Sequence, residues 1–189
     1  MSIYGSGRIT PGDELYIQTR EIARRLGEMG FSIITGGGPG VMEAANKGAT
    51  EAGIKSIGLN IQLPEEQISN VYATKSITFN HFFVRKIMLV KYASAFIIMP
   101  GGLGTLDELT ELLTLMQTHK IKPFPVVLFD SMYWKGFLDW LHDSALSRGF
   151  ISGEDFDLLR ICDHVEEVIE VVRRWREKHQ VIGKKAVSA

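Results

Sequence analysis

The chain has 189 residues, is 45% hydrophobic and 23% charged, and sets 21 Lys and Arg against 22 Asp and Glu for a formal net charge of -1. That length suits one domain with a full core, and a near-neutral balance without a basic block argues against a nucleic-acid partner. The single Cys162 excludes an intrachain disulfide and a Cys-built metal cage, no H-E-x-x-H pair occurs, and no apolar run nears the roughly 18 residues that span a bilayer, so a cytoplasmic chain with no membrane partner and no metal is expected.

Ser2-Ile3-Tyr4-Gly5 reads as a short buried strand, followed by a turn at Pro11-Gly12 and a helix over Asp13–Met29 with Leu15, Ile22 and Leu26 on one face. The alternation recurs as strand Phe31–Thr35, glycine loop Gly36–Gly40, helix Val41–Ala52, strand Ser56–Ile61, polar loop Pro64–Asn70 and strand Ser76–Phe79. Helix Phe82–Tyr92, strand Ala95–Met99, helix Leu106–Thr118, strand Pro125–Phe129, helix Trp134–Ser147, strand Leu158–Ile161 and helix Val165–Lys178 complete it. A single domain over 1–182 and a flexible tail over 183–189 are expected. Short apolar strands separated by helices imply a Rossmann-like α/β fold, an open parallel sheet with helices on both faces. Ligands of such sheets bind beyond the carboxyl ends of the strands, and Gly5-Ser6-Gly7, Gly36–Gly40 and Pro100–Thr105 all fall there.

These loops fit neither common nucleotide fingerprint. In Gly36-Gly37-Gly38-Pro39-Gly40-Val41 the last glycine of G-x-G-x-x-G is replaced by valine, the next strand offers Asn60 in place of a ribose-binding acid, and no G-x-x-x-x-G-K-[ST] occurs. A more general property remains: glycines at a helix start let an anion approach bare backbone amides, and Gly102, Gly104 and Thr105 suit a monophosphate. The alternative is that the glycines only make tight turns.

Glu108 also has two readings. Thr105-Leu106-Asp107-Glu108 matches a capping box, in which the Glu side chain returns to the helix-start amide. Beside a bound phosphate, however, a carboxylate is repelled unless it faces a centre that becomes positive. Arg85 and Lys86, on the first turns of the preceding helix, could offset the phosphate and these acids, whereas Lys91 snorkels to solvent. Leu112, Leu113, Leu115 and Met116, with Phe82 and Phe83, supply either core packing or the face of a dimer.

Phe83-Val84-Arg85-Lys86, then Ala95-Phe-Ile-Ile-Met-Pro-Gly-Gly-Leu-Gly-Thr-Leu-Asp-Glu108, preceded by Thr35-Gly-Gly-Gly-Pro-Gly-Val-Met-Glu-Ala-Ala-Asn-Lys-Gly-Ala49, closely resemble the LONELY GUY (LOG) family, and the likeness runs from about Ile3 to Trp175. The resemblance implies an enzyme of cytokinin biosynthesis or nucleotide turnover that needs no cofactor. Such an enzyme, a nucleoside 5′-monophosphate phosphoribohydrolase, cleaves the N-glycosidic bond of AMP or a cytokinin riboside monophosphate to free base and ribose 5-phosphate. It further implies that Arg85 and Glu108 are the catalytic pair, and that Lys86, Gly102, Leu103, Gly104, Thr105, Leu106, Asp107, Thr114 and Glu66 contact the substrate. Ser6, Gly37 and Gly38 join the candidate contacts because their loops reach the same sheet edge. Family members are homodimers or assemblies of dimers, and many carry the label lysine decarboxylase. Two departures, Gly5-Ser6-Gly7-Arg8 in the first loop and Glu43 after the second, lie near the expected base pocket.

Breaking a C1′–N bond builds positive charge on the ribose, and carboxylates are the usual side chains set against it. Glu108 fits that role, stabilising the cation or activating water, while Arg85 orients the sugar phosphate and Glu108 itself. A decarboxylase would instead need pyridoxal phosphate on a Schiff-base lysine, and Lys47 and Lys86 are the only lysines near glycine loops. A non-enzymatic rival is a carrier or binding protein for a phosphorylated nucleotide-like or pterin-like cofactor, which needs the phosphate cradle but not the Arg–Glu pair.

Overall fold

The structure, a computed structural model, describes residues 1–62 and 70–187. Its elements are β1 (Ser2–Tyr4), α1 (Glu14–Glu28), β2 (Ile33–Thr35), α2 (Val41–Glu51), β3 (Ser56–Ile61), β4 (Lys75–Phe79), α3 (Phe82–Lys91) and β5 (Phe96–Ile98). There follow α4 (Leu103–Gln117), β6 (Val126–Phe129), α5 (Ser131–Trp140) with a π-helical continuation Leu141–Leu146, α6 (Gly153–Phe156), β7 (Leu159–Cys162) and α7 (Val165–Val187). The strands form one parallel sheet in the order β4-β3-β2-β1-β5-β6-β7. The Rossmann-like expectation is met.

Alternation along the central strands explains the two-sided core. Ile3, Ile97 and Val127 join the cluster that packs on α1, α2 and α7 through Ile22, Leu26, Val41 and Val172. Their neighbours Tyr4, Phe96, Ile98 and Leu128 join the cluster that packs on α3, α4 and α5 through Leu89, Leu109, Leu112 and Trp134. Both faces are therefore dry, and the strand ends are left to carry polar chemistry.

Three boundaries differ from the sequence expectation. α4 begins at Leu103 rather than Leu106, α5 begins at Ser131 rather than Trp134, and α7 stays helical through Val187, past Lys178 and into the span expected as a tail. Leu112 and Met116 are buried in the core beneath α4, so core packing accounts for these two apolar side chains. Among the described residues no helix is long and apolar enough to cross a membrane.

Candidate active site

The sheet order reverses between β1 and β5, the place where an open α/β sheet leaves a crevice. Main-chain bonds stitch three glycine loops together there: the amide of Ser6 donates to the carbonyl of Pro100 at 2.9 Å, and the amide of Val41 donates to the carbonyl of Ser6 at 2.9 Å. Gly101 makes the closest approach possible, since a Cβ on it would lie 2.2 Å from Thr105 Oγ1 and 2.8 Å from the Ser6 amide. The Tyr133 hydroxyl, near the start of α5, donates to the Gly101 carbonyl at 2.5 Å. Above these loops lies a cleft of about 810 Å³, whose walls include Ser6, Arg8, Arg85, Gly102, Leu103, Gly104, Thr105 and Glu108, with Ile9, Leu15 and Met42 as apolar lining.

The N-terminus of α4 opens into this cleft. Its first helical bond runs from the Leu106 amide to the Gly102 carbonyl, so the amides of Leu103, Gly104 and Thr105 precede the ladder, and among the described residues no side chain caps them. A Cβ on Gly102 or Gly104 would meet only open space, which leaves the backbone bare to an incoming anion. Because the helix starts early, Thr105 is the third helical residue and not the N-cap. The capping-box reading of Thr105 and Glu108 therefore fails. Glu108 sits in the second turn, and among the described residues its nearest charged partner is Arg85.

Arg85 reaches the cleft from the first turns of α3. Its side chain is 10% exposed, Nε donates to the Leu59 carbonyl at 2.7 Å, and Nη1 lies 3.9 Å from Glu108 Oε1. At that separation the pair attracts without a hydrogen bond, so both groups keep bonding capacity for a third molecule. Burial pushes the Glu108 carboxyl up to about 7, against the opposing pull of Arg85, while Asp107 adds an upward push. A carboxyl that titrates near neutrality, a guanidinium and unused helix-start amides thus share one wall. Such a site can hold a phosphate at one end and set a carboxylate against a developing cation at the other.

The other expected contacts are placed differently. Lys86 does not line the cleft: its Nζ lies 2.9 Å from the Asp107 carboxylate and 3.2 Å from Glu111 Oε2, both on α4. Asp107 is exposed, and Leu106 packs on the core beneath α4. Thr114 donates to the Thr110 carbonyl at 2.8 Å and lines a separate apolar cavity of about 150 Å³ with Leu113, Phe137 and Phe156. Helical rotation carries it away from the crevice, because it lies nearly two turns beyond Glu108. Glu66 lies outside the described residues.

Gly37 and Gly38 are spent on structure. The Gly37 amide donates to Thr35 Oγ1 at 3.0 Å, its carbonyl accepts from the Asn70 amide at 3.0 Å, and Asn70 Nδ2 donates to the Gly38 carbonyl at 3.0 Å. Gly37 also holds a φ of 74°, which a side chain would strain. Asn46, buried in α2, joins this network by accepting from Thr35 Oγ1 at 2.6 Å and donating to Ser56 Oγ at 2.8 Å. Glu43 is turned from the cleft and accepts from the Tyr16 hydroxyl at 2.8 Å, while its neighbour Met42 faces in. Sequence reasoning missed Asn46 and Tyr133. A polar residue among the alanines of α2 was the available signal for Asn46, and Tyr133 had none because it comes from a helix two elements later.

Fold and site together define an α/β protein with an uncapped helix start and a largely enclosed acid–guanidinium pair at the sheet's switch point. The family model described as "possible lysine decarboxylase" matches residues 42–172, and the chain belongs to this family, which includes the LOG proteins. It is 29% identical over 167 residues to the cytokinin riboside 5′-monophosphate phosphoribohydrolase LOG of Oryza sativa subsp. japonica, covering 85% of this chain and 67% of that one. It is 27% identical over 161 residues to the cytokinin riboside 5′-monophosphate phosphoribohydrolase of Mycobacterium tuberculosis, covering 82% and 84%. Among solved structures, the molybdenum cofactor carrier protein MCP of Chlamydomonas reinhardtii superposes with a TM-score of 0.68 at 21% identity, over 93% of this chain and 96% of that one. The molybdenum cofactor binding protein of Rippkaea orientalis superposes with a TM-score of 0.66 at 21% identity, over 92% and 93%. At that identity the likeness is one of fold.

A lysine decarboxylase would call for pyridoxal chemistry, and the lysines do not fit it. Lys86 is held by two carboxylates outside the cleft, and Lys47 Nζ sits over the Tyr72 ring, 5.3 Å from its centroid. Among the described residues no lysine lines the cleft.

Proposed function

We propose that this chain hydrolyses the N-glycosidic bond of a nucleoside 5′-monophosphate, with AMP and cytokinin riboside monophosphates as the substrate class, releasing the free base and ribose 5-phosphate. One observation carries this reading: the unused amides at the start of α4 and the Arg85–Glu108 pair open into the same cleft. The 5′-phosphate is held by the amides of Leu103, Gly104 and Thr105, with the helix dipole adding attraction. That anchorage sets the ribose along the first two turns of α4, beside Glu108. As the C1′–N bond breaks, electrons leave with the base, positive charge gathers on the ring, and the Glu108 carboxylate faces it. Water then adds to C1′, its oxygen becoming the new hydroxyl and its proton ending on the base. Arg85 holds the sugar phosphate and keeps Glu108 aimed.

A panel of nucleoside mono-, di- and triphosphates and free nucleosides, assayed for ribose 5-phosphate, tests the reading. Release from monophosphates alone is the expected result. Tight retention of a phosphorylated ligand with no release would favour a carrier. The same reading includes a homodimer, supported by the exposed Phe82, Phe83 and Ile87 on α3. Light scattering at micromolar concentration that shows only monomer would remove this part.

A further inference from the structure

We infer that Tyr133 is a positioning residue for the uncapped start of α4: its hydroxyl holds the Gly101–Gly102 peptide in one orientation, from a base that is itself fixed. This rests on the proposed role of that helix start in holding the 5′-phosphate.

Gly101 is packed against Thr105 and the Ser6 amide, but on the Gly102 side of the same peptide a Cβ would meet only open space. A peptide next to a glycine in open space can turn over at little steric cost. Because a trans peptide sets its C=O and N–H on opposite sides, a flip would exchange a partial negative charge for a partial positive one. Beside a bound phosphate that exchange turns attraction into repulsion. Tyr133 opposes the flip, since its hydroxyl donates to the Gly101 carbonyl at 2.5 Å. The carbonyl thus faces the tyrosine and the Gly102 amide faces away from it, with no acceptor among the described residues. That amide directly precedes the unused amides of Leu103, Gly104 and Thr105.

The base of the strut is held from three sides. The Asp130 amide donates to the Cys162 carbonyl at 2.9 Å, the Ser131 amide to Asp163 Oδ1 at 2.7 Å, and the Tyr133 amide to Asp130 Oδ1 at 3.0 Å. These bonds tie the start of α5 to the carboxyl ends of β6 and β7. The Tyr133 ring stands edge-on to Trp134, with centroids 5.1 Å apart at 85°, and Trp134 is buried in the core. Tyr133 is nevertheless 48% exposed and lines the cleft. A half-exposed phenol could bond to water instead, so its bond to a carbonyl 32 residues away adds little stability and much restraint on the loop.

The test compares wild type with Y133F and Y133L by isothermal calorimetry with inorganic phosphate, by KM and kcat on the monophosphates, and by ¹⁵N relaxation dispersion at the Gly102 and Leu103 amides. Y133F keeps the ring on Trp134 and opens the Gly101 carbonyl to water in the cleft, so it is expected to fold with a Tm close to wild type. Its phosphate Kd and its KM should both rise about tenfold with kcat within about threefold, the pattern of a lost binding contact. Exchange broadening absent from wild type should appear at the two amides and fall when phosphate is added. Y133L, which also loses the ring, should match Y133F in phosphate affinity and differ in Tm. A lower Tm with phosphate affinity and exchange unchanged would overturn the inference in favour of a purely structural brace. A raised KM with unchanged phosphate affinity would overturn it in favour of direct contact between Tyr133 and the base or sugar. If neither variant folds, dispersion in the wild type decides: quiet amides uphold the strut and broadened ones overturn it. If no nucleotide yields ribose 5-phosphate, the hydrolase reading fails, while phosphate calorimetry still decides for or against Tyr133.

Discussion

A Cβ on Gly36 would lie 2.1 Å from Nη2 of Arg85, so the second glycine loop is the floor on which the guanidinium rests. The same atom would come 2.8 Å from Met42 Sδ, which closes the other way out. G36A must therefore displace Arg85 from Glu108. Overpacking of this kind costs about 1–3 kcal/mol, and we expect ribose 5-phosphate release to fall at least about tenfold. A G36A enzyme with the wild-type rate would show that Arg85 needs no fixed position.

Glu108→Gln keeps the size and shape of the side chain and removes its charge. Loss of a preorganised group that faces the transition state costs about 100-fold or more in kcat. We expect that loss with an unchanged circular dichroism spectrum. Near wild-type hydrolysis of AMP would return Glu108 to a structural role.

The same variant has a signature in stability. Burial raises the Glu108 carboxyl from 4.5 to about 7, so between those values the folded chain holds a proton that the unfolded chain has released. This group's contribution to stability is therefore present at low pH and lost as pH rises through about 7. The stability of E108Q relative to wild type should become more favourable from pH 5 to pH 8, by on the order of 2 kcal/mol. Thermal unfolding at the two pH values reads this directly, and a difference of the opposite sign would mean that Arg85 dominates over burial.

Gly104 separates folding from binding. Its Cβ position is open and its place is inside α4, so G104A should leave Tm unchanged or slightly raised, by up to about 1 kcal/mol of helix propensity. A methyl there would stand where the phosphate approaches the amides. We expect KM for the monophosphate to rise about tenfold or more, one lost contact of roughly 1.4 kcal/mol. Isothermal calorimetry with inorganic phosphate checks the same point without turnover.

The start of α4 shows where sequence reading stops. Gly102-Leu103-Gly104 looks like a loop because each glycine inside a helix costs about 1 kcal/mol against alanine. The structure nevertheless begins the helix at Leu103, where the loop is held by the Ser6–Pro100 bond and by Tyr133 on Gly101. That shift turned Thr105 from a cap into an interior residue and released Glu108 toward Arg85. Lys86 shows the same limit. Which of two adjacent cations faces the cleft depends on the rotation of α3 against α4, and periodicity within one helix does not contain it.

By itself, the sequence determined the alternation of strands and helices, the parallel sheet and the meeting of glycine loops at one edge. These follow from local patterns: strands buried on both faces must be apolar throughout, as Ala95–Met99 is, and glycines punctuate their carboxyl ends. The pairing of Arg85 with Glu108 was already implied by the family resemblance; tertiary structure alone decided that Lys86 turns to Asp107 and Glu111, and that Gly37, Gly38 and Thr114 stand outside the cleft. The reason is geometric: contacts between elements depend on helix rotation and loop stitching across the sheet, and distances of a few ångströms there separate a group that touches a bound sugar from one that supports it.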